Sequence, residues 1–346
     1  MSVQSIIQLL GGVGLFLFAI KLISEALQLI AGDRLRQLIG TLTKTPIMGV
    51  LVGACVTVLI QSSSATTVMT VSFVDAGLMT LTQAIGVIMG ANIGTTITGQ
   101  ILAIKVQDYA YLFIIIGVLL SFFGRSKVQK YAGNGLLGFG LLFVGMQTME
   151  SSMSFLRNEK ELFLMFSHNP LMGVLAGTLL TLLVQSSAAT VGLTIALGVQ
   201  GLLPLHAAIP IILGDNIGTT ITALLASIGQ SKNAKRTAIA HSIFNISGSC
   251  VFIFLIPWFA KFVQFISPKG NEVDVISRQI ANAHTTFNIV CTLVWLPLIP
   301  LMVKIVTTII RGDDKVQKTA FEPKYLDMKV VEQPAAAMVL VSKELN

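Results

Sequence analysis

The sequence predicts an all-α polytopic membrane protein built from two inverted repeats, each with a re-entrant hairpin and a broken transmembrane helix. Three observations predict it. Hydrophobic residues make up 53% of the 346 positions and charged residues 11%, against about a quarter charged in soluble domains. Apolar stretches close to the roughly 20 residues needed to cross a bilayer recur along the chain, at 6–23, 109–123, 135–149, 239–259 and 285–310. A long segment also occurs twice.

The elements follow in chain order. The first basic residue is Lys21, so the apolar start reads as a span rather than a cleaved leader. Lys21 and Glu25, four apart near the end of that span, are placed to snorkel and pair. Cys55, Cys250 and Cys291 are scattered in apolar sequence and read as buried small hydrophobes, not a disulfide set or metal site. Three connecting segments are basic: Arg34, Arg36 and Lys44; Arg125, Lys127 and Lys130; Lys232, Lys235 and Arg236. The alternate loops are mixed, with Lys105 beside Asp108, Arg157 and Lys160 beside Glu159 and Glu161, and Lys269 near Glu272 and Asp274. Positive charge marks cytoplasmic loops, which puts the N-terminus outside and the C-terminus inside. The alternation works only if the segments around Gln61 and Gln185 enter and leave by one face.

Residues 45–98 align with 169–222 without a gap at an offset of 124, with 28 of 54 positions identical. Gln61-Ser62-Ser63 matches Gln185-Ser186-Ser187, Thr66 matches Thr190, and the run 92–98 matches 216–222 throughout. Residues 12–27 correspond more loosely to 138–153. Three crossings separate the copies, so the second lies upside down, the plan of many secondary transporters with sites at the repeat interface. The expected division is 1–130 and 131–260 for the repeats, 261–310 for a further helical region, and 311–346 for a cytoplasmic tail.

The chemistry sits in the paired motifs. The arms around residues 61–67 are each too short to cross the membrane alone, at about 1.5 Å per residue. A hairpin of that size puts its polar tip at depth, where irregular backbone survives only inside protein or beside a wet cavity. Small hydroxylated residues supply donors and acceptors there and cap the next half-helix. In 90–96 and 214–220, glycines bracketing Asn92 and Asn216 read as an unwound break, exposing carbonyls to sodium and amides to an anion. No Lys or Arg lies in either motif pair. A bound anion would therefore rely on helix N-termini, hydroxyls and co-bound cations. Asp215 is a candidate cation ligand or electrostatic partner, and Asp75 falls at the cytoplasmic interface. His241 with Asn245 and His284 with Asn288 each share a helical face and read as interhelical hydrogen-bonding pairs.

At these motifs the sequence resembles the type II sodium–phosphate cotransporter family, over residues 5–310. The resemblance implies a transporter and not an enzyme, carrying inorganic phosphate with Na+ by alternating access and using no organic cofactor. It implies that Gln61, Ser62, Ser63, Ser64 and Thr66, with Gln185, Ser186, Ser187 and Thr190, line the substrate and sodium sites. Asn92, Thr95, Thr96, Asn216, Thr219 and Thr220 join them. The expected phosphate ligands are Ser62, Ser63, Ser64, Thr66, Ser186, Ser187, Thr190, Asn92 and Asn216. The expected sodium ligands are Gln61, Gln185, Asn92, Thr95, Thr96, Asp215, Asn216, Thr219 and Thr220. Ala188 replaces the third serine in the second copy, so the half-sites are unequal. The expected setting is the bacterial cytoplasmic membrane, with no nucleic-acid partner and a homodimer among the assemblies open to it. After Arg311 the chain resembles the connector into a cytoplasmic helical domain similar to PhoU. Export of phosphate, another oxyanion such as sulfate or arsenate, and a channel are the competing readings. A serine hydrolase on Ser62 or Ser186 lacks a local His base or Asp orienter.

Overall fold

A computed structural model describes residues 3–31, 43, 45–104, 107–153 and 160–312, without side chains at 160–162. The basic residues Arg34, Arg36, Lys44, Lys105 and Arg157, the acid Glu159, and the tail from residue 313 lie outside the described residues. Every described element is helical: α1 (Val3–Ala31), α2 (Pro46–Ile60), α3 (Ser63–Asp75), α4 (Leu81–Leu102), α5 (Ala110–Phe123), α6 (Lys127–Ser152) and α7 (Lys160–His168). They continue with α8 (Pro170–Val184), α9 (Ser187–Val199), α10 (Leu205–Gly218), α11 (Thr220–Ala226), α12 (Lys232–Ile266), α13 (Glu272–Trp295) and α14 (Ile299–Ile309). The chain is an all-α, multi-pass membrane protein. Four described helical segments are long and apolar enough to span, and α13 with α14, bent by 84°, makes a fifth if counted as one.

The surface fits lipid. Phe122, Phe123, Leu183, Phe254, Trp258 and Phe265 are all more than two-thirds exposed, which water would penalise and hydrocarbon does not. Cys55 and Cys250 share this surface, so only Cys291 is buried as expected. Their helices turn those positions outward, and a thiol is apolar enough to face lipid chains. Lys21 and Glu25 pair at 3.7 Å, both exposed.

Glycine sets the helix packing. A Cβ on Gly53 would stand 2.1 Å from the Val87 carbonyl oxygen, and one on Gly90 only 2.0 Å from that of Val50. Residues 50 and 54 thus lie against 90 and 94, with both numbers rising together. Helices α2 and α4 therefore run parallel, and α3 between them must bring the chain back. Residues 46–75 form a hairpin whose two open ends lie on one side. Residues 170–199 repeat this, with Cβ positions on Gly177 and Gly214 each 2.0 Å from the carbonyls of Ile211 and Val174. Helices α1 and α6, which precede the two hairpins, run antiparallel. A Cβ on Gly12 would lie 3.1 Å from the Gly145 carbonyl, and one on Gly138 3.0 Å from that of Ala19. At the 126-residue offset of these helices, Gly12 corresponds to Gly138 and Ala19 to Gly145. The contact is reciprocal, as about a two-fold axis.

The expected helix breaks are corrected by the structure. Helix α4 runs without interruption through Gly90, Asn92 and Gly94. In the second copy only Thr219 separates α10 from α11, and its backbone stays right-handed helical at φ −63°, ψ −23°. These glycines open room for a neighbouring helix backbone. The Asn side chains stay within the helix, with Asn92 Nδ2 donating to the Ile88 carbonyl at 2.9 Å and Asn216 Nδ2 to that of Ile212 at 2.8 Å.

Candidate functional site

Each Gln-Ser-Ser stretch joins two helices through consecutive caps. Gln61 (φ 57°) and Gln185 (φ 56°) are the two non-glycine left-handed residues among those described. Each amide side chain donates back to its own helix end, to Val58 and Leu182 carbonyls, both at 2.7 Å. Glutamine thus offsets part of the strain of positive φ by satisfying an orphan carbonyl. The next residue is the N-cap: Ser62 Oγ accepts from the Ala65 amide at 3.2 Å, and Ser186 Oγ from that of Ala189 at 3.3 Å. Inside each hairpin a threonine pair ties the arms together. Thr57 donates to Thr66 at 2.9 Å, and Thr181 meets Thr190 at 2.7 Å.

The two tips meet. Residues 61–64 and 185–188, with Thr57, Gly94, Thr95 and Thr98, line one cavity of about 50 Å³, room for a few water-sized groups. Ser64 of the first hairpin also lies 3.3 Å from Thr222 of α11, across the copies. Helices α3 and α9 both begin at this cavity, so two N-terminal half-dipoles bear on it. None of the lining residues is charged. The arrangement offers hydroxyls, amides and carbonyls to a small ion without placing a fixed counter-charge beside it.

Of the residues expected at the site, Gln61, Ser62, Ser63, Ser64, Thr95, Gln185, Ser186 and Ser187 line the cavity. Thr66 and Thr190 are buried behind it as the braces described above. Asn92, Thr96, Asn216, Thr219 and Thr220 are not among the lining residues and bond to their own helices. Asp215 is fully buried, its Oδ1 accepting from Thr181 at 2.7 Å and its Oδ2 3.9 Å from His284 Nε2. Asp75 lies where α3 ends and accepts from the Ser231 amide at 2.6 Å, so the first hairpin opens toward the 227–231 loop. The interhelical hydrogen bonds expected of the His–Asn pairs are corrected by the structure: Asn245 Nδ2 donates within its own helix to the His241 carbonyl and Asn288 Nδ2 to that of His284, while His241 Nδ1, Asn245 Oδ1, His284 Nδ1 and Asn288 Oδ1 have no partner among the described residues. Thr57 and Thr98 are lining residues the sequence reading missed. Both belong to identical pairs of the duplication, with Thr181 and Thr222, and stand as polar positions in apolar arms.

The family model described as Na+/Pi-cotransporter matches residues 15–151 and 153–269. The chain belongs to the Na+/Pi-cotransporter family. It is 29% identical to the uncharacterized protein YqeW of Bacillus subtilis over 73% of this chain and 83% of that one. It is 26% identical to the putative inorganic phosphate export protein YjbB of Escherichia coli, over 98% of this chain and 62% of that protein's length. A 105-residue stretch, 30% of this chain and 15% of the other, is 42% identical to human sodium-dependent phosphate transport protein 2B. No solved structure matches.

Proposed function

We propose that this protein is a secondary active transporter that carries inorganic phosphate coupled to sodium, binding both between the two Gln-Ser-Ser tips. The meeting of both tips at one uncharged cavity carries the reading. An oxyanion there is held by the Ser62, Ser63, Ser64, Ser186 and Ser187 hydroxyls and by the N-termini of α3 and α9. Without a fixed positive charge, its burial is unfavourable unless cations enter with it. The Gln61 and Gln185 side-chain oxygens, the Thr95 hydroxyl and the tip carbonyls suit sodium, a hard cation that takes oxygen ligands. Thr66 and Thr190 hold the tips in shape, and Asn92, Asn216, Thr96, Thr219 and Thr220 form the layer behind. Asp215 adds an anionic group in the second half.

Antiparallel α1 and α6 and the parallel pairing within each copy support inverted repeats with re-entrant hairpins; the basic loops favour an N-terminus outside the cytoplasmic membrane. Alternating access then moves the hairpins against the outer helices. The test is uptake of radiolabelled phosphate into proteoliposomes with sodium or with potassium. Uptake that requires sodium and resists excess sulfate supports phosphate. Equal competition by sulfate points to a broader oxyanion carrier. Flux without counterflow overturns the transporter in favour of a channel. The name of YjbB favours export as a second reading, and preloaded vesicles with imposed sodium gradients of either sign distinguish direction.

A further inference from the structure

The two tips are built alike but held differently. Helix α2 ends at Ile60, whose carbonyl is among the last four of the helix and finds no donor inside it. Ser24 of α1 supplies one, its Oγ donating to the Ile60 carbonyl at 2.5 Å. Gln28, one turn further along α1, donates from Nε2 to the same Oγ at 2.8 Å, which leaves the Ser24 proton for Ile60. The next residue is Gln61, the left-handed turn that leads into Ser62, Ser63 and Ser64 at the cavity. Both ends of its amide are used, with Nε2 donating to the Val58 carbonyl and Oε1 accepting from Thr98 at 2.9 Å. The first tip is thus tied on one side to α1 and on the other to α4.

The second tip lacks both ties. A Cβ on Gly138 would lie 3.1 Å from the Ile23 amide nitrogen, and one on Gly12 2.9 Å from that of Met149. Ile23 therefore corresponds to Met149, and the residues that follow, Ser24 and Glu150, to each other. Ile60 corresponds to Val184 at the 124-residue offset of the hairpins. Glu150 turns instead to Gln107, whose Nε2 donates to its Oε1 at 3.4 Å. Thr222, the counterpart of Thr98, donates to the Thr219 carbonyl. Among the described side chains, none donates to the Val184 carbonyl or to Gln185 Oε1. Gln185 is exposed where Gln61 is half-buried.

A half-site held in shape before its ligand arrives loses little freedom on binding, whereas one that the ligand must order loses more. Ser24 is not among the residues lining the cavity. Its only route to a bound ion runs through the backbone of the tip.

We propose that Ser24 is a positioning residue of the first half-site. Through the Ile60 carbonyl it holds Ser62, Ser63 and Ser64 ready for the oxyanion, while the second tip is ordered by the bound ions themselves. This rests on the reading that the tips bind phosphate with sodium.

The test is hydrogen–deuterium exchange on the full chain in detergent, paired with thermal stabilisation by inorganic phosphate in sodium buffer. Residues 61–67 and 185–191 differ at only two positions, so the intrinsic exchange of the two tips is nearly matched. Without phosphate and sodium, the first tip is expected to exchange about tenfold more slowly than the second. Adding both ions should protect the second tip more than the first. Ser24→Ala should speed exchange at the first tip and raise the phosphate concentration for half-maximal stabilisation about fivefold, the factor that one net hydrogen bond supplies. Ser24→Thr, which keeps the hydroxyl, should restore both, and Glu150→Gln at the corresponding position should change neither. Equal exchange at the two tips of the parent overturns the proposal, whether or not the alanine variant folds. So does an alanine variant that melts earlier yet keeps the parent's response to phosphate, as a purely structural bond would give. An equal loss in the Glu150 variant overturns it too, by removing the asymmetry. If the parent itself does not respond to phosphate with sodium, the reading of the tips falls and takes the role of Ser24 with it.

Discussion

The two copies share a skeleton and differ in what it carries. Both turn at a left-handed glutamine, cap with serine and brace with a threonine pair, at nearly equal angles and distances. In the first copy Thr98 donates to Gln61 Oε1 at 2.9 Å and fixes the tip to its own span. The equivalent Thr222 donates instead to the Thr219 carbonyl and meets Ser64 of the other copy. Ala188 stands where Ser64 would have its counterpart, and Asp215 where the first copy has Ala91. The first tip is thus richer in hydroxyls and anchored, while the second carries a buried acid behind a looser glutamine. The shared features are those the fold requires. The unshared ones are where the two halves can divide labour between anion and cation.

The shared skeleton gives the largest expected effect. Gly90→Val and Gly214→Val should each destabilise by about 3 kcal/mol or more, the upper part of the overpacking range, read as thermal unfolding in detergent. A mild effect in one copy alone would break the equivalence of the halves. Next, Ser62→Ala combined with Ser186→Ala should abolish phosphate-dependent thermal stabilisation while the protein stays folded. A parental response to phosphate would remove the tips from the site. Thr181→Val takes away the one hydrogen bond made by Asp215, worth roughly 1.5–3 kcal/mol for a charged acceptor, against about 1 kcal/mol for Thr57→Val. Equal losses would mean that Asp215 is neutral. Gly77→Ala and Gly201→Ala, at φ +70° and +69° with no tight contact for a Cβ, should each cost about 1 kcal/mol.

Much of this was legible in the sequence because duplication doubles the signal. Gln61 and Gln185 could be placed at turns, and Ser62 and Ser186 at caps, since polar residues in short apolar arms have few other uses. The span containing Asn92 was misread because glycine serves two ends. Gly86, Gly90 and Gly94 recur every four residues on one helical face, as Gly49 and Gly53 do, and that spacing signals close helix packing rather than unwinding. The encounter of Asp215 with His284 was illegible. The two are 69 positions apart, outside any repeat register, and tertiary packing alone joins them.

The glycine contacts also limit how the protein can work. Where a missing side chain lets one backbone rest within the groove of another, axial sliding by a fraction of a turn would drive carbonyls into Cα atoms. Helix α2 is therefore locked lengthwise to α4, and α8 to α10. Any passage of cargo has to carry each tip and its span together as one stiff piece, with slippage confined to the seams where larger side chains meet.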